Sequence, residues 1–139
     1  MIPACKHFDP IMGVDIHILV IPPVGPVPIP HPHVGMVLDP MDFVPVIGAT
    51  VMVNGIPCGA AGTAGQPIPH IPLGGPFATP PTNEAELFMG SATVLADGSP
   101  FAFSALPVLS CQSVGMPAPP RSKKPKKSFG MMLPTSVVM

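Results

Sequence analysis

Proline occupies 24 of the 139 positions. Each one removes a backbone N–H and blocks the helical hydrogen bond to the residue four earlier. At about one residue in six, that density excludes a helical domain. The 14 glycines add further breaks, and Pro and Gly at such levels ordinarily signal disorder. The remaining composition argues otherwise, because 47% of residues are hydrophobic and 9% charged, the reverse of what keeps a disordered chain solvated. What is left is a mainly β fold of short strands, turns and extended segments. Its length suits one domain with one modest core.

Net charge is −1, so no overall field draws the chain to nucleic acid or anionic lipid. Five of the six basic residues, Arg121, Lys123, Lys124, Lys126 and Lys127, stand together. They read as a solvated linker over 121–128, between a domain at 1–120 and an extended segment at 129–139 whose apolar, β-compatible residues suit a final strand. Without Trp or Tyr to stack on bases, nucleic acid is not an expected partner. The uncharged stretch Ile16 to Leu38 is long enough to span a bilayer, but its six prolines and three histidines exclude a transmembrane helix. No signal-peptide pattern opens the chain, which leads to an expectation of cytoplasmic synthesis and of export, if any, by a route that reads no such peptide. Three cysteines, Cys5, Cys58 and Cys111, make no disulfide framework in a reducing compartment. Each reads as a buried thiol acting as a small hydrophobe, with metal binding by one of them as the chemically sharper alternative.

A repeat organises the middle of the chain. Ala49-Thr50-Val51-Met52-Val53-Asn54-Gly55-Ile56-Pro57 matches Ala92-Thr93-Val94-Leu95-Ala96-Asp97-Gly98-Ser99-Pro100 in one register. Each copy is a β-branched run closed by Asn-Gly or Asp-Gly, the strongest short-range hairpin signal. Pro3-Ala4-Cys5-Lys6, leading through Asp9, offers a third half-unit. Between this N-terminal half-unit and the first hairpin, Pro22 to Pro32 favours polyproline II and is not expected to add a central strand.

His17, His70 and Cys111 each follow one of these units at similar spacing, so they would converge if the three units packed around a common axis. Imidazole and thiolate are zinc ligands, and a fourth is needed for a tetrahedron. His31 and His33 are the nearest supply, and His31, held between Pro30 and Pro32, has the stiffer backbone. The alternative is polar histidines in turns. Ten methionines and five histidines also allow a protein that binds copper or zinc reversibly. The methionines are scattered singly through apolar runs, however, as gap-filling core residues would be. Glu84 and Glu86 alternate as on a solvated strand face. Gly59 to Gly65 is read as a turn, lacking the ending of a phosphate loop. With no nucleophile–base spacing anywhere, no enzymatic activity is expected.

Pro3-Ala4-Cys5-Lys6 followed by Asp9 resembles the Pro-Ala-Ala-Arg motif of the PAAR-repeat proteins, the spike tips of the bacterial type VI secretion system. The two hairpins sit where that family has its repeated turn before each motif copy. Gly35 to Phe43, Met89 to Val94, Leu109 to Gln112 and Leu133 to Val138 resemble the PAAR-like region that precedes Rhs toxin proteins. The resemblance implies a small β-rich cone of short hairpins with pseudo-threefold repeats and zinc at its tip. It implies three histidines and one cysteine as ligands, here His17, His31, His70 and Cys111, with His33 as the alternative to His31. It further implies a structural protein that caps a trimeric VgrG spike, one chain per trimer, and links effector or toxin cargo to it. Such a protein is made in the bacterial cytoplasm and delivered into a target cell with transient membrane puncture.

Overall fold

The computed structural model describes residues 2–110 and the backbone of residues 115–117, 128–130 and 136–138. The chain is mainly β. The strands are β1 (Pro10–Ile21), β2 (Gly25–Val37), β3 (Met52–Val53), β4 (Ile56–Pro57), β5 (Ala64–Pro67), β6 (Ala85–Leu87), β7 (Leu95–Ala96), β8 (Ser99–Pro100), β9 (Pro107–Leu109), β10 (Gly115–Pro117), β11 (Ser128–Gly130) and β12 (Ser136–Val138). One 3-10 turn, Pro40–Phe43, is capped by the Asp39 side chain, which accepts from the Met41 N–H.

The two expected hairpins are present as β3–β4 and β7–β8. Asn54, Gly55, Asp97 and Gly98 all have φ between 50° and 79°, the left-handed pair that a two-residue hairpin turn requires. Each hairpin delivers the chain into a short segment beginning with Pro57 or Pro100, and the N-terminal segment begins likewise with Pro3. These three segments close a ring. Lys6 bridges Cys58, Ala60 bridges Phe101, and Phe103 bridges Ala4. At its centre the Cys5 N–H donates to the Ala102 carbonyl (3.0 Å), Ala102 to Gly59 (2.9 Å) and Gly59 back to Cys5 (2.9 Å). An outer set repeats the pattern: His7 donates to Pro57 (3.0 Å), Ala61 to Pro100 (2.8 Å) and Ser104 to Pro3 (2.9 Å). A pseudo-threefold centre is thus built from one chain, with every donor answered by an acceptor on the next segment.

After the ring each segment makes one left-handed step, at Phe8 (φ 69°), Gly62 (φ 96°) and Ala105 (φ 69°), and enters a strand, β1, β5 or β9. With their partners β2, β6 and β12 these form a closed antiparallel barrel in the order β1-β12-β9-β6-β5-β2. β12 therefore pairs with β1 and β9 in the same sheet, so a strand within the segment at 129–139 belongs to the barrel. The basic stretch 121–127 lies outside the described residues.

β1 and β2 are far longer than the other strands and pair over their whole length, from Pro10↔Met36 to Ile21↔Gly25. The polyproline II expectation for Pro22 to Pro32 is corrected here, since Pro26, Pro28, Pro30 and Pro32 all lie within β2, although among the described strands that part of β2 pairs with β1 alone. Register explains it. The Val37 N–H points to Asp9, next to β1, whereas the Val34 carbonyl accepts from Ile68 on the opposite edge. Even-numbered residues of β2 therefore aim their backbone groups away from β1, and a proline there sacrifices no ladder bond. It also strips donors from an exposed edge, which discourages edge-to-edge pairing.

The barrel interior is filled by a mixture of aliphatic and small side chains. Cys5, Ile11, Val37, Ala85, Leu87, Ala102 and Val108 form its main cluster. Gly59 has no room for more, because a Cβ there would lie 2.6 Å from Cys5 Sγ. Among the described residues, methionine does not fill this core as expected. Met12, Met36, Met41, Met52 and Met89 are all exposed. The solvated face expected for Glu86 is also absent: β6 runs between β5 and β9, and Glu86 is buried. His7 is buried beside the ring, with Nε2 2.9 Å from Asp42 Oδ2.

Candidate metal centre

The alternation along β1 and β2 is inverted relative to an ordinary half-buried hairpin. Even positions such as Met12, Val14, Ile16, Val34 and Met36 face solvent, while Asp15, His17, His31 and His33 are buried. Asp15 sits opposite His31 in the ladder and Gly13 opposite His33, so all four polar side chains share one face. Along this hairpin β12 meets β1 only at Ile11–Gly13 and β5 meets β2 only at Gly35–Val37. The polar cluster therefore lies beyond the barrel, on the part of the hairpin remote from the ring. At about 3.3 Å per residue, His17 stands roughly 23 Å along β1 from Pro10.

The segment following β5 folds over this face. Phe77 bridges Leu19, Val20 donates to the Pro76 carbonyl at 2.9 Å and Ala78 to Ile18 at 2.8 Å. That path brings His70 to the cluster and lays the Phe77 ring 5.6 Å from His17 and 5.5 Å from His31, centroid to centroid. The imidazoles of His17 and His70 are 4.8 Å apart, His17 and His31 5.5 Å, and His31 and His70 6.2 Å. A cavity of about 270 Å³, lined by His31, His33, His70 and the apolar Val34, Ile68 and Leu73, borders the group.

Asp15 is the residue around which the others gather. Its Oδ2 is 3.0 Å from His70 Nε2 and 4.0 Å from His17 Nε2. Its Oδ1 is 3.4 Å from His33 Nε2 and accepts from the Ser110 hydroxyl. Burial alone would raise this carboxyl, but hydrogen bonds from His33, His70 and Ser110, together with the charge of His33, outweigh it and hold Asp15 well below the usual carboxylate range. Burial pushes the other way on His17, and with the neighbouring charge of His70 lowers it to about 4 despite the attraction of Asp15. At neutral pH His17 is uncharged and has a lone pair to offer.

Two further imidazoles have their tautomer set by neighbours that can only accept. His31 Nδ1 donates to the Ile29 carbonyl at 2.8 Å, which leaves Nε2 as the lone-pair nitrogen of the neutral ring. That atom is buried without a hydrogen-bond partner among the described residues. His70 Nδ1 donates to Asn83 Oδ1 at 2.9 Å, and the same oxygen accepts the His70 backbone N–H at 3.0 Å, fixing its identity as oxygen. This outer bracing of a ring nitrogen is the usual companion of metal ligation. Asp15, His17 and His70 place one donor atom each within 4.8 Å of one another and could hold a metal ion.

Of the four ligand candidates read from the sequence, His17, His31 and His70 come together, and Cys111 lies outside the described residues. Ser110, its chain neighbour, reaches the cluster. His33 is present as well, turned toward Asp15. Asp15 itself was not among the candidates. The signal for it was the pair of alternations Asp15-x-His17 and His31-x-His33, which put four polar groups on one face of two strands. Cys5 and Cys58 are buried free thiols. Burial first, with Asp9 and Cys58 nearby, pushes Cys5 up to about 12, and burial with Asp97 raises Cys58, so neither offers a thiolate at neutral pH. Comparison with protein-family models, characterised proteins and solved structures gives no match to this chain.

Proposed function

We propose that the protein is a non-enzymatic spike tip of the type VI secretion kind. It would cap a trimeric VgrG spike with its ring end, sharpen it with the β1–β2 end, and tie effector cargo to the needle. The observation that carries this reading is the ring of Cys5, Gly59 and Ala102, in which one chain presents pseudo-threefold symmetry. A monomer with such an end matches the end of a trimer, where three strand edges would otherwise be left open.

At the opposite end a metal serves a structural purpose. The narrow hairpin has too little interior for a hydrophobic core, and small folds meet that shortage with a metal. Zinc suits imidazole donors, and structural zinc sites in small peptides contribute an apparent ~10–16 kcal/mol at neutral pH. His17, His31 and His70 would hold it, with Cys111 as the fourth ligand that the resemblance implies. A point stiffened in this way suits brief passage through a membrane.

The test is to mix the chain with a truncated spike trimer and measure the mass of the complex at low and high salt. One chain per three spike subunits is expected, little weakened by salt because the described ring residues carry few charges. A 3:3 complex, or dissociation at about 0.5 M salt, where screening is strong, would contradict the reading and shift attention to the basic stretch 121–127.

A further inference from the structure

We infer that the ring carries a strand-addition site beside Ile2–Pro3, which takes an extended segment of a partner protein with alternating β-branched residues. The site belongs to the ring itself and does not depend on what the ring caps. The three ring segments are equivalent, yet only two of them are flanked. Cys58 donates its N–H to the Val51 carbonyl at 3.0 Å and Phe101 to Val94 at 2.9 Å, so each of these segments is held by the chain entering the first strand of its own hairpin, β3 or β7. Ala4 is their counterpart, since all three residues follow the proline that opens a segment. Ile2 and Pro3 likewise stand where β4 has Ile56 and Pro57 and β8 has Ser99 and Pro100. Among the described residues, no strand lies where β3 and β7 would lie, and no backbone carbonyl accepts the Ala4 N–H.

That N–H is turned away from the ring. Ala4 bridges Phe103 through bonds made by its neighbours, Cys5 to Ala102 and Ser104 to Pro3, so its own backbone groups aim at the opposite edge. Exposure agrees. Cys58 is 3% exposed, whereas Ala4 is open to solvent, and Ile2 beside it is 64% exposed.

The two flanked segments show what fits the third. Val51 and Val53 pack on Cys58, Ala60 and Ala96, and the register sets Met52 opposite Pro57 and Val53 opposite Ile56. An added strand in that register would oppose Pro3 and Ile2, and the carbonyl of its preceding residue would accept from Ala4. Asp97, just past β7, also clasps the neighbouring unit, accepting from the Thr50 N–H at 2.8 Å and from the Thr50 hydroxyl. The same step around the ring carries the third position onto Thr93 and Val94. Val94 is 53% exposed, and Thr93 has only long contacts with Ser91, 3.3 Å from its N–H and 3.4 Å from its hydroxyl. The segment that fits therefore reads Val-x-Val or Val-x-Ala, followed by Asp or Asn. Backbone bonds supply the affinity of such an addition and alternate side chains its specificity.

The experiment uses a blocked peptide with the sequence of residues 49–54, titrated into the full chain while amide hydrogen exchange is followed by NMR. In the free protein the Ala4 amide should exchange much faster than those of Cys58 and Phe101. Saturating peptide should slow it by about tenfold or more, and a scrambled peptide should not. Ala4→Pro removes the donor without touching a ring bond and should weaken the peptide roughly three- to tenfold. Ile2→Asp, at an exposed position, should weaken it as well and guards against misfolding of the proline variant. An Ala4 amide already as protected as that of Cys58 would mean that the chain's own residues cover the position, and would overturn the inference. So would an Ala4 exchange rate unchanged by the peptide, or equal binding by wild type and both variants. None of these outcomes bears on the one-to-three stoichiometry expected with a spike trimer.

Discussion

Gly59 donates its backbone N–H to the Cys5 carbonyl at 2.9 Å, so close that a methyl group on Gly59 would sit 2.6 Å from Cys5 Sγ and 3.0 Å from Leu87 Cδ1. The centre of the ring is therefore overpacked by a single added carbon. Gly59→Ala should cost about 1–3 kcal/mol in denaturant unfolding. Because the nearest obstacle is the Cys5 sulfur, the cost should fall clearly when Cys5→Ala is present, a change that makes Cys5 match its ring counterpart Ala102. Additive effects of the two substitutions would mean that the ring is looser than described.

Alkali should weaken the fold through the same residue. The Cys5 thiol, ordinarily ionising near pH 9, is pushed up to about 12. Above pH 9 the unfolded chain loses a proton that the folded chain keeps, so folding stability falls as pH rises, by about 1.4 kcal/mol per pH unit until the folded-state value is reached. Below pH 9 this contribution is constant. Unfolding midpoints measured from pH 8 to 11 should drop more steeply for wild type than for Cys5→Ala; parallel curves would remove Cys5 as the cause.

The hairpins were legible because Asn54-Gly55 and Asp97-Gly98 encode their own backbone angles, and the shared register of their flanks announced the repeat. What is local in sequence was readable. β2 was not, because the rule that proline breaks a strand counts residues, whereas the structure depends on which edge each proline faces. Pro26, Pro28, Pro30 and Pro32 keep strict alternation, and that spacing was the missed clue. Asp15 escaped for a related reason. Val14 and Ile16 look like a buried face and Asp15 and His17 like a solvated one, and only the cover provided by Phe77 and His70, far along the chain, inverts them. Cys111 as a ligand remains part of the resemblance-based reading.

The alternating prolines should act on association more than on stability. Replacing Pro28 and Pro30 with valine restores two N–H groups on an edge that lacks them. Thermal stability should change by no more than about 1 kcal/mol per site, the scale of a proline's effect on the unfolded chain. Light scattering, in contrast, should show a concentration-dependent rise in self-association. Unchanged monodispersity would indicate that the edge is protected by other means.

Metal dependence of the fold is the most direct test. Zinc per chain is to be measured by elemental mass spectrometry on the purified protein, before and after dialysis against a strong chelator, with thermal unfolding recorded on both samples. One zinc per chain is expected at the outset. Its removal should cost many degrees of stability, and His70→Ala should lack both the metal and the chelator-sensitive stability. A chain that is purified free of metal, or one that gives up its zinc with no change in unfolding temperature, would contradict a tip held together by a metal ion.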